Sequence, residues 1–467
     1  MKNYDLIVIG MGPAGMAVSA MGVSMGLNVL SIERRKIGGE CLNCGCIPSK
    51  ALLKGAEAFH GLKRLSSYGI DIDADILKIS PMSVVRDKID AINSKKTMKM
   101  FEKVSLVSGE AVLDGPDAVR VNGRTYRGKR IFIATGTSPA IPPIPGLKDL
   151  PDILTNENLF QLEEIPKSMT IIGGGAIGSE MGQAFARLGT NVTIVHMDPH
   201  LVPTGDEAAG RLLEKVMVEE GVVVRNSASI DRVEKRDGSF FLYSGDDVFE
   251  SEKLLVAAGR VPSISGLRLG EVGVNHDKKG ISVDQRMRTS VKNIYAIGDC
   301  NGQYLLSHAA MHQGMLAFMD ALSPFSLPWT CRDRYVVPWA VFTEPEIAQV
   351  GITEKEASKR GLNYDVCEKK YSSYGRTVAD GHPEGFVKII VGKSGKILGA
   401  TVMGEGASEL IQEWTMAIQD RRRMTHIMMT QHPFPSVGTI NKMVAEEWMM
   451  SKMRSPILGK LARFILR

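Results

Sequence analysis

Short apolar runs that end in glycine-rich loops recur along this chain, each followed by a stretch with helical spacing. The run Leu6–Ile9 enters the loop Gly10-Met-Gly12-Pro13-Ala14-Gly15, and a helix rich in small residues is expected next. A second apolar strand, Val29–Ile32, closes on Glu33. The same order returns downstream. Thr170–Ile172 leads into Gly173-Gly-Gly175-Ala176-Ile177-Gly178, then a helix over Ser179–Leu188 and a strand over Asn191–Val195. Strand, loop, helix and strand in this order predict an α/β fold.

Each part of the first unit has a physical reason. Glycines let the backbone approach a pyrophosphate, and a helix N-terminus faces its charge. An acid about twenty residues on can accept ribose hydroxyls. A glycine turn alone could simply pack a helix on a sheet, but the full order ending in Glu33 reads as a dinucleotide site. Two such loops imply two nucleotides. The second departs from the pattern, because its strand ends in His196 where an NAD site would offer Glu or Asp. The missing carboxylate weakens discrimination against a 2′-phosphate, yet no arginine follows immediately. NAD and NADP both stay open, and His196 reads equally as a neutral strand-end residue or a ligand contact.

At 467 residues the chain is too long for one core, so about two to four domains are expected. A hydrophobic fraction of 44% and a charged fraction of 23% are ordinary for a globular protein. A net charge of +5 carries no nucleic-acid signal. The 25 methionines read as adaptable core filling. No run of about 18 apolar residues occurs, so no membrane span is expected. The N-terminal Met-Lys-Asn-Tyr-Asp-Leu-Ile-Val-Ile-Gly lacks the features of a signal peptide, which predicts a cytoplasmic protein. Six cysteines do not make a disulfide scaffold at this size; Cys300, Cys331 and Cys367 are scattered and read as ordinary thiols.

The other three cysteines carry the chemistry. Residues 38–53 place Cys41, Cys44 and Cys46 just downstream of the first glycine loop, followed by Ile-Pro-Ser-Lys50. A dithiol beside a dinucleotide site can exchange electrons with a cofactor. The segment closely resembles the redox-active disulfide of the flavin-dependent pyridine nucleotide–disulfide oxidoreductases, the family of dihydrolipoamide dehydrogenase, glutathione reductase and mercuric reductase. Three more segments extend the resemblance: Ile133-Ala134-Thr135-Gly136, Thr289 to Asp299, and residues 335–351 with Gly404-Glu-Gly-Ala-Ser-Glu-Leu-Ile. The match runs from residue 4 to about residue 448.

That resemblance implies a fold, a domain order and a set of site residues. The fold is α/β, with two Rossmann-like domains, for FAD and for NAD or NADP, and an α+β C-terminal dimerisation domain. The FAD domain takes 1–148 and resumes at 263–334; the nicotinamide domain takes 149–262, the interface domain 335–450, and a basic amphipathic tail 451–467. By the same resemblance, Cys41 is the exposed interchange thiol and Cys46 the thiol that faces the flavin. Lys50 and Glu180 pair near the flavin's reactive nitrogen, and Asp299 binds the ribityl chain. Arg34, Gly39, Glu110, Ala111, Leu306, Ser307 and Gly259 are further nucleotide-binding positions.

Five residues of regular helix rise ~7.5 Å, whereas disulfide-bonded Cα atoms lie ~4.4–6.8 Å apart. The segment is therefore distorted or begins its helix only near Cys46, which Gly45 makes easy. A helix start there would favour the Cys46 thiolate. Cys44 stands three residues after Cys41, so a Cys41–Cys44 bridge is geometrically open too. It reads as a small buried residue, an auxiliary or persulfide thiol, or a metal ligand; no fourth ligand has clear spacing, so no metal site is expected.

The C-terminus departs from the family. Dithiol-oxidising members carry His-Pro-Thr-x-x-Glu, whereas residues 431–440 read Gln-His-Pro-Phe-Pro-Ser-Val-Gly-Thr-Ile. Phe434 takes the histidine position and Thr439 the glutamate position. His432 stands two residues earlier as a substitute base or as a structural residue, with Val437 in place of an acid. An aromatic residue in that place resembles the mercuric-reductase branch, but the vicinal C-terminal cysteines of that enzyme are absent. The expected activity is that of a homodimeric dihydrolipoamide-dehydrogenase-like enzyme acting on a small or protein-bound disulfide or persulfide. The alternatives are an NAD(P)H-oxidising electron-transfer enzyme with a quinone or metal-ion acceptor, and a redox-sensing interaction protein.

In the tail, Ile457, Leu458, Leu461, Phe464 and Ile465 share a helical face opposite Lys460, Arg463 and Arg467, after Pro456 in the first turn. Such a helix lies on an anionic membrane, docks to a partner, or packs on its own subunit. Deleting residues 456–467 tests the membrane alternative; identical partition with anionic vesicles before and after removes it.

Overall fold

A computed structural model describes residues 3–65, 69–70, 80–92, 99–325, 327–454 and 463–466. Most of the tail stripe, from Pro456 to Leu461 together with Arg467, lies outside these; Phe464 and Ile465 are exposed. Among the described residues no helix is long and apolar enough to cross a membrane. The chain divides into two compact units: residues 1–173, 187–193 and 229–335 in the first, and residues 174–186, 194–228 and 336–467 in the second.

The first unit is built on a seven-stranded sheet. Its central strand, Asn3–Ile9, runs parallel to Val29–Glu33 on one side and to Arg124–Ile133 on the other. Outside them, Ser105–Ser108 joins Val29–Glu33 and Ile294–Ala296 joins Arg124–Ile133, both in parallel. Successive side chains on a strand point to opposite faces, and here both faces are buried. Leu6, Val8 and Phe132 enter one core with Val18 and Phe318. Ile7, Ile9, Ile131 and Ile133 enter the other with Leu30 and Ile294. That is why these runs are continuously apolar rather than alternating.

The helix Pro13–Ser24 starts with proline in its first turn and has no side-chain cap. Its leading backbone N–H groups therefore stay available to a ligand. It packs against Ser307–Leu322 through small residues, with Ala14 and Gly15 buried. Elsewhere in this unit Ser168–Ile172 pairs in parallel with Lys253–Val256, and Arg232–Arg236, Ser239–Ser244 and Asp247–Ser251 form an antiparallel sheet.

The second unit carries a five-stranded antiparallel sheet. Its strands lie in the order Trp339–Val341, Glu346–Gly351, Ile397–Gly404, Phe386–Gly392 and Tyr364–Lys370. The helices Ala407–Gln419 and Thr439–Met453 share a core with the sheet around Trp414, Ile411, Val387 and Val444. Trp414 is fully buried, and its indole N–H donates to Asn441 Oδ1 at 2.8 Å. The helix Glu207–Glu219 is N-capped by Asp206, whose carboxylate also receives Lys388 Nζ at 3.1 Å.

Removing the Trp414 ring leaves both a cavity and an Asn441 Oδ1 without its indole donor. Trp414→Ala is expected to cost about 3–5 kcal/mol of stability, read as a lower denaturant midpoint; a loss under about 1 kcal/mol would show that the core collapses around the gap.

Candidate functional site: a thiol pair beside a nucleotide cavity

The cysteine segment is two short helical pieces with a break between them. Gly39–Asn43 forms one turn, Cys44 and Gly45 leave helical geometry, and a new helix runs from Cys46 to Arg64. The expectation of a helix starting at Cys46 holds. The break replaces the straight rise that would keep the two thiols apart, and the Cys41 and Cys46 side chains are in hydrogen-bonding contact. A Cβ at position 45 would stand 3.0 Å from the Glu40 carbonyl oxygen and 3.5 Å from Cys41 Cα, so glycine admits the close turn.

Electrostatics around the three thiols differ. The hydrogen bond from Cys46 and then burial push the Cys41 thiol far up, while the Ser307 hydroxyl and the Lys50 charge pull it down. Ser307 Oγ also lies 3.3 Å from Cys46 Sγ. The Cys44 thiol is pushed up to about 12 by burial and by the carboxylates of Glu40 and Glu157, against Arg35 and Arg260. Those surroundings favour the protonated Cys44 thiol.

Cys41 and Cys44 line a cavity of about 470 Å3 in the first unit. Its walls include Gly10, Gly12, Pro13 and Ala14 of the loop, with Gly39 beside Gly12. Gly15 stands behind this wall, buried against the sheet. Glu33, Arg34, Glu110 and Ala111 line one end, with Arg34 and Glu110 3.7 Å apart. Ala134, Thr135, Gly136, Asp299 and Ser307 line the other, whereas Leu306, Lys50 and Gly259 are outside the lining.

Glu33 does two jobs. Its Oε2 accepts from Met11 N–H at 2.7 Å and its Oε1 from Arg35 N–H at 2.8 Å, which shapes the loop and leaves lone pairs for ribose hydroxyls. The glycine cradle, the uncapped helix start and this carboxylate fit the pyrophosphate and ribose of a dinucleotide.

Three residues at the site went unrecognised in the sequence: Glu40, Thr137 and Arg260. Arg260 donates to Thr137 Oγ1 at 2.6 Å and to the Glu40 carboxylate. Burial raises the Asp299 carboxyl to about 6, opposed by Arg260 and by the Thr137 hydroxyl, 3.5 Å away. Arg260 directly follows the expected Gly259, and Glu40 lies inside the cysteine motif. No spacing rule relates two positions so distant in the chain.

Gly175 precedes the helix Ala176–Arg187, which contains Ile177 and Gly178; Gly173, in the first unit, follows the strand Ser168–Ile172. On that helix Glu180 is buried, its Oε1 accepting from Phe342 N–H at 2.9 Å. His196 is buried and bonded to Gly174 N–H through Nδ1 at 3.0 Å.

The absence of an acid beside His432 in the local sequence is corrected by the fold. Glu413, on Ala407–Gln419, places Oε2 3.2 Å from His432 Nε2. The other ring nitrogen, Nδ1, lies 3.2 Å from the Thr430 carbonyl oxygen. Both ring nitrogens are thus held by acceptors of the loop and of its supporting helix. The pair fastens the 430–438 loop, which Tyr374 Oη also holds by donating to the Ser436 carbonyl at 3.0 Å. Phe434 is exposed on that loop.

Residues 4–314 match the family model described as pyridine nucleotide-disulphide oxidoreductase, and residues 337–444 match the dimerisation domain of the same family. The chain belongs to this family. It is a dihydrolipoyl-dehydrogenase-like flavoprotein disulfide oxidoreductase that uses FAD and NAD(P)H. A dihydrolipoyl dehydrogenase from Thermus scotoductus is 37% identical over 449 residues, covering 94% of this chain and 96% of that protein. A mercuric reductase from Lysinibacillus sphaericus is 31% identical, covering 95% of this chain and 82% of its own length. Among solved structures, LpdA from Mycobacterium tuberculosis superposes with a TM-score of 0.84 at 28% identity, covering 96% of this chain and 100% of that one. The HOCl-induced flavoprotein disulfide reductase RclA from Escherichia coli shares the fold, at a TM-score of 0.84, 24% identity and coverage of 95% and 99%.

Lys50 is the cation acting on Cys41. Lys50→Met is expected to slow iodoacetamide alkylation of the reduced enzyme at pH 8 several-fold, because Cys41 loses a charge that favours its thiolate. An unchanged rate would remove Lys50 from the thiol electrostatics.

Proposed function

We propose that this flavoenzyme reduces a lipoyl-type or other small or protein-borne disulfide, with Cys41 meeting the substrate and Cys46 resolving the exchange. The observation that carries this is the contact between these two thiols beside the nucleotide cavity. The names of relatives 31–37% identical over nearly the whole chain support the lipoyl class.

The residues divide the work. The Cys41 thiolate attacks one sulfur of the substrate disulfide; that S–S bond breaks and one substrate thiol leaves with a proton. Cys46 then attacks the mixed disulfide, releasing the second thiol and leaving a Cys41–Cys46 disulfide. FAD, when bound, passes the two electrons of NAD(P)H to that disulfide. Ser307 stands at hydrogen-bond distance of Cys46, and Lys50 favours the Cys41 thiolate. Glu33, Asp299 and the loop Gly10–Gly15 bind FAD in this reading, and Gly173–Gly178 binds the nicotinamide nucleotide. The four-part domain division with boundaries near 148, 262 and 334 belongs to it, as does a homodimer in the cytoplasm, where dithiols stay reducible. Peripheral contact through residues 451–467 rests on their basic amphipathic pattern alone. His432 serves as a clamp, which favours reduction of disulfides or persulfides over fast oxidation of thiols.

Anaerobic stopped-flow spectroscopy tests the proposal: enzyme reduced by NADH or NADPH is mixed with lipoamide. Rapid reoxidation is expected, and Cys41→Ser should abolish it while flavin reduction by the nucleotide persists. No reoxidation by lipoamide, with rapid reoxidation by a quinone in the Cys41→Ser variant, would overturn it in favour of a different acceptor.

A further inference from the structure

The second glycine loop differs from the first in what holds it. Glu33 supports the first loop as a carboxylate, whereas the second leans on an imidazole. His196 follows the strand Asn191–Val195 and is 6% exposed. Its Nδ1 accepts from Gly174 N–H at 3.0 Å, and its Nε2 faces the His200 carbonyl oxygen at 3.2 Å. An atom that accepts from N–H carries no proton, and one that meets a carbonyl must carry one. The two contacts together specify a neutral ring protonated at Nε2.

The surroundings hold that state. Burial lowers the pKa of His196, assisted by His200 and opposed by Asp198, Glu214 and the His200 carbonyl. Asp198 Oδ2 is 3.6 Å from Nε2. Glu214, on Glu207–Glu219, is occupied by Asn226 Nδ2 at 2.7 Å, and His200 Nδ1 lies 2.9 Å from the Leu201 carbonyl oxygen. The ring also packs hard against the loop. A Cβ at Gly174 would stand 2.9 Å from His196 Cδ2 and 2.6 Å from Leu201 Cδ2. His196 is therefore part of the loop's support, with both nitrogens used.

We propose that His196 determines nucleotide choice, supporting the loop as a neutral group where a carboxylate would repel a 2′-phosphate, so that the site takes NADPH as well as NADH. A carboxylate at this strand end accepts the ribose 2′-hydroxyl and rejects its phosphate by charge. The neutral imidazole does neither. Asp198 and Glu214 are the carboxylates that act on the ring, and Arg225 meets His196 through its backbone carbonyl, which accepts His196 N–H at 2.8 Å. The inference rests on nicotinamide binding at this loop.

Isothermal titration of the FAD-loaded protein with NAD+ and NADP+, alongside kcat/KM for NADH and NADPH, tests it. The wild type is expected to bind and use the two within about tenfold of each other. His196→Glu should lower NADPH use at least about tenfold relative to NADH. His196→Asn, whose Oδ1 can accept from Gly174 N–H, should keep the wild-type ratio, whereas His196→Leu should weaken both nucleotides together. A wild type that prefers one nucleotide more than about a hundredfold, or a His196→Glu variant with an unchanged ratio, overturns the proposal. Failure of either nucleotide to bind anywhere would instead strike the assignment of the loop itself, and the inference with it.

Discussion

Backbone contact between the first glycine loop and the start of the cysteine segment is the constraint on which the redox site depends. Gly38 N–H donates to the Met11 carbonyl at 2.8 Å, and a Cβ at Gly39 would stand 2.8 Å from Gly12 Cα. Two segments that each lack side chains can lie this close. Glu33 then ties the same loop to the end of its strand through Met11. The first glycine loop and the start of the cysteine segment are therefore packed backbone to backbone. Electron transfer between a cofactor and a sulfur needs that closeness.

Within this assembly, burial and charge separate three chemically identical side chains. Cys41 and Cys46 share a hydrogen bond beside Ser307, with a cation acting on the pair. Cys44 is turned among Glu40, Glu157, Arg35 and Arg260, where the acids and desolvation keep it neutral. A thiol becomes a nucleophile through its thiolate. The contact between the Cys41 and Cys46 side chains favours the five-residue pair over the geometrically open alternative that includes Cys44, since burial raises the Cys41 thiol as it does Cys44.

Two histidines in the second unit show the same dependence on neighbours. His432 has acceptors on both nitrogens and is held between a carboxylate and a carbonyl. His196 has a donor on one side and an acceptor on the other, so it is kept neutral and turned to supporting a loop. Both nitrogens of each ring are engaged by neighbours. Both clamp irregular backbone, which in this fold is where a ligand or partner segment must be met with fixed geometry.

The apolar runs at Leu6–Ile9 and Val29–Ile32, the glycine loops and the Cys41–Cys46 segment were legible in the chain itself. Each is a local pattern: strand burial on both faces imposes continuous hydrophobicity, and phosphate approach imposes glycine. The helix beginning at Cys46 was legible for the same reason, since a regular helix could not have joined the sulfurs. What only the tertiary structure decided are contacts between residues far apart in sequence. Glu413 reaches His432 from another helix, Arg260 reaches Glu40 from 220 residues away, and Gly174 turns His196 into a backbone acceptor. Hydrogen bonds and ion pairs act over a few ångströms of space and leave no period along the chain. A side chain's protonation and role follow from those neighbours, which the fold alone brings together.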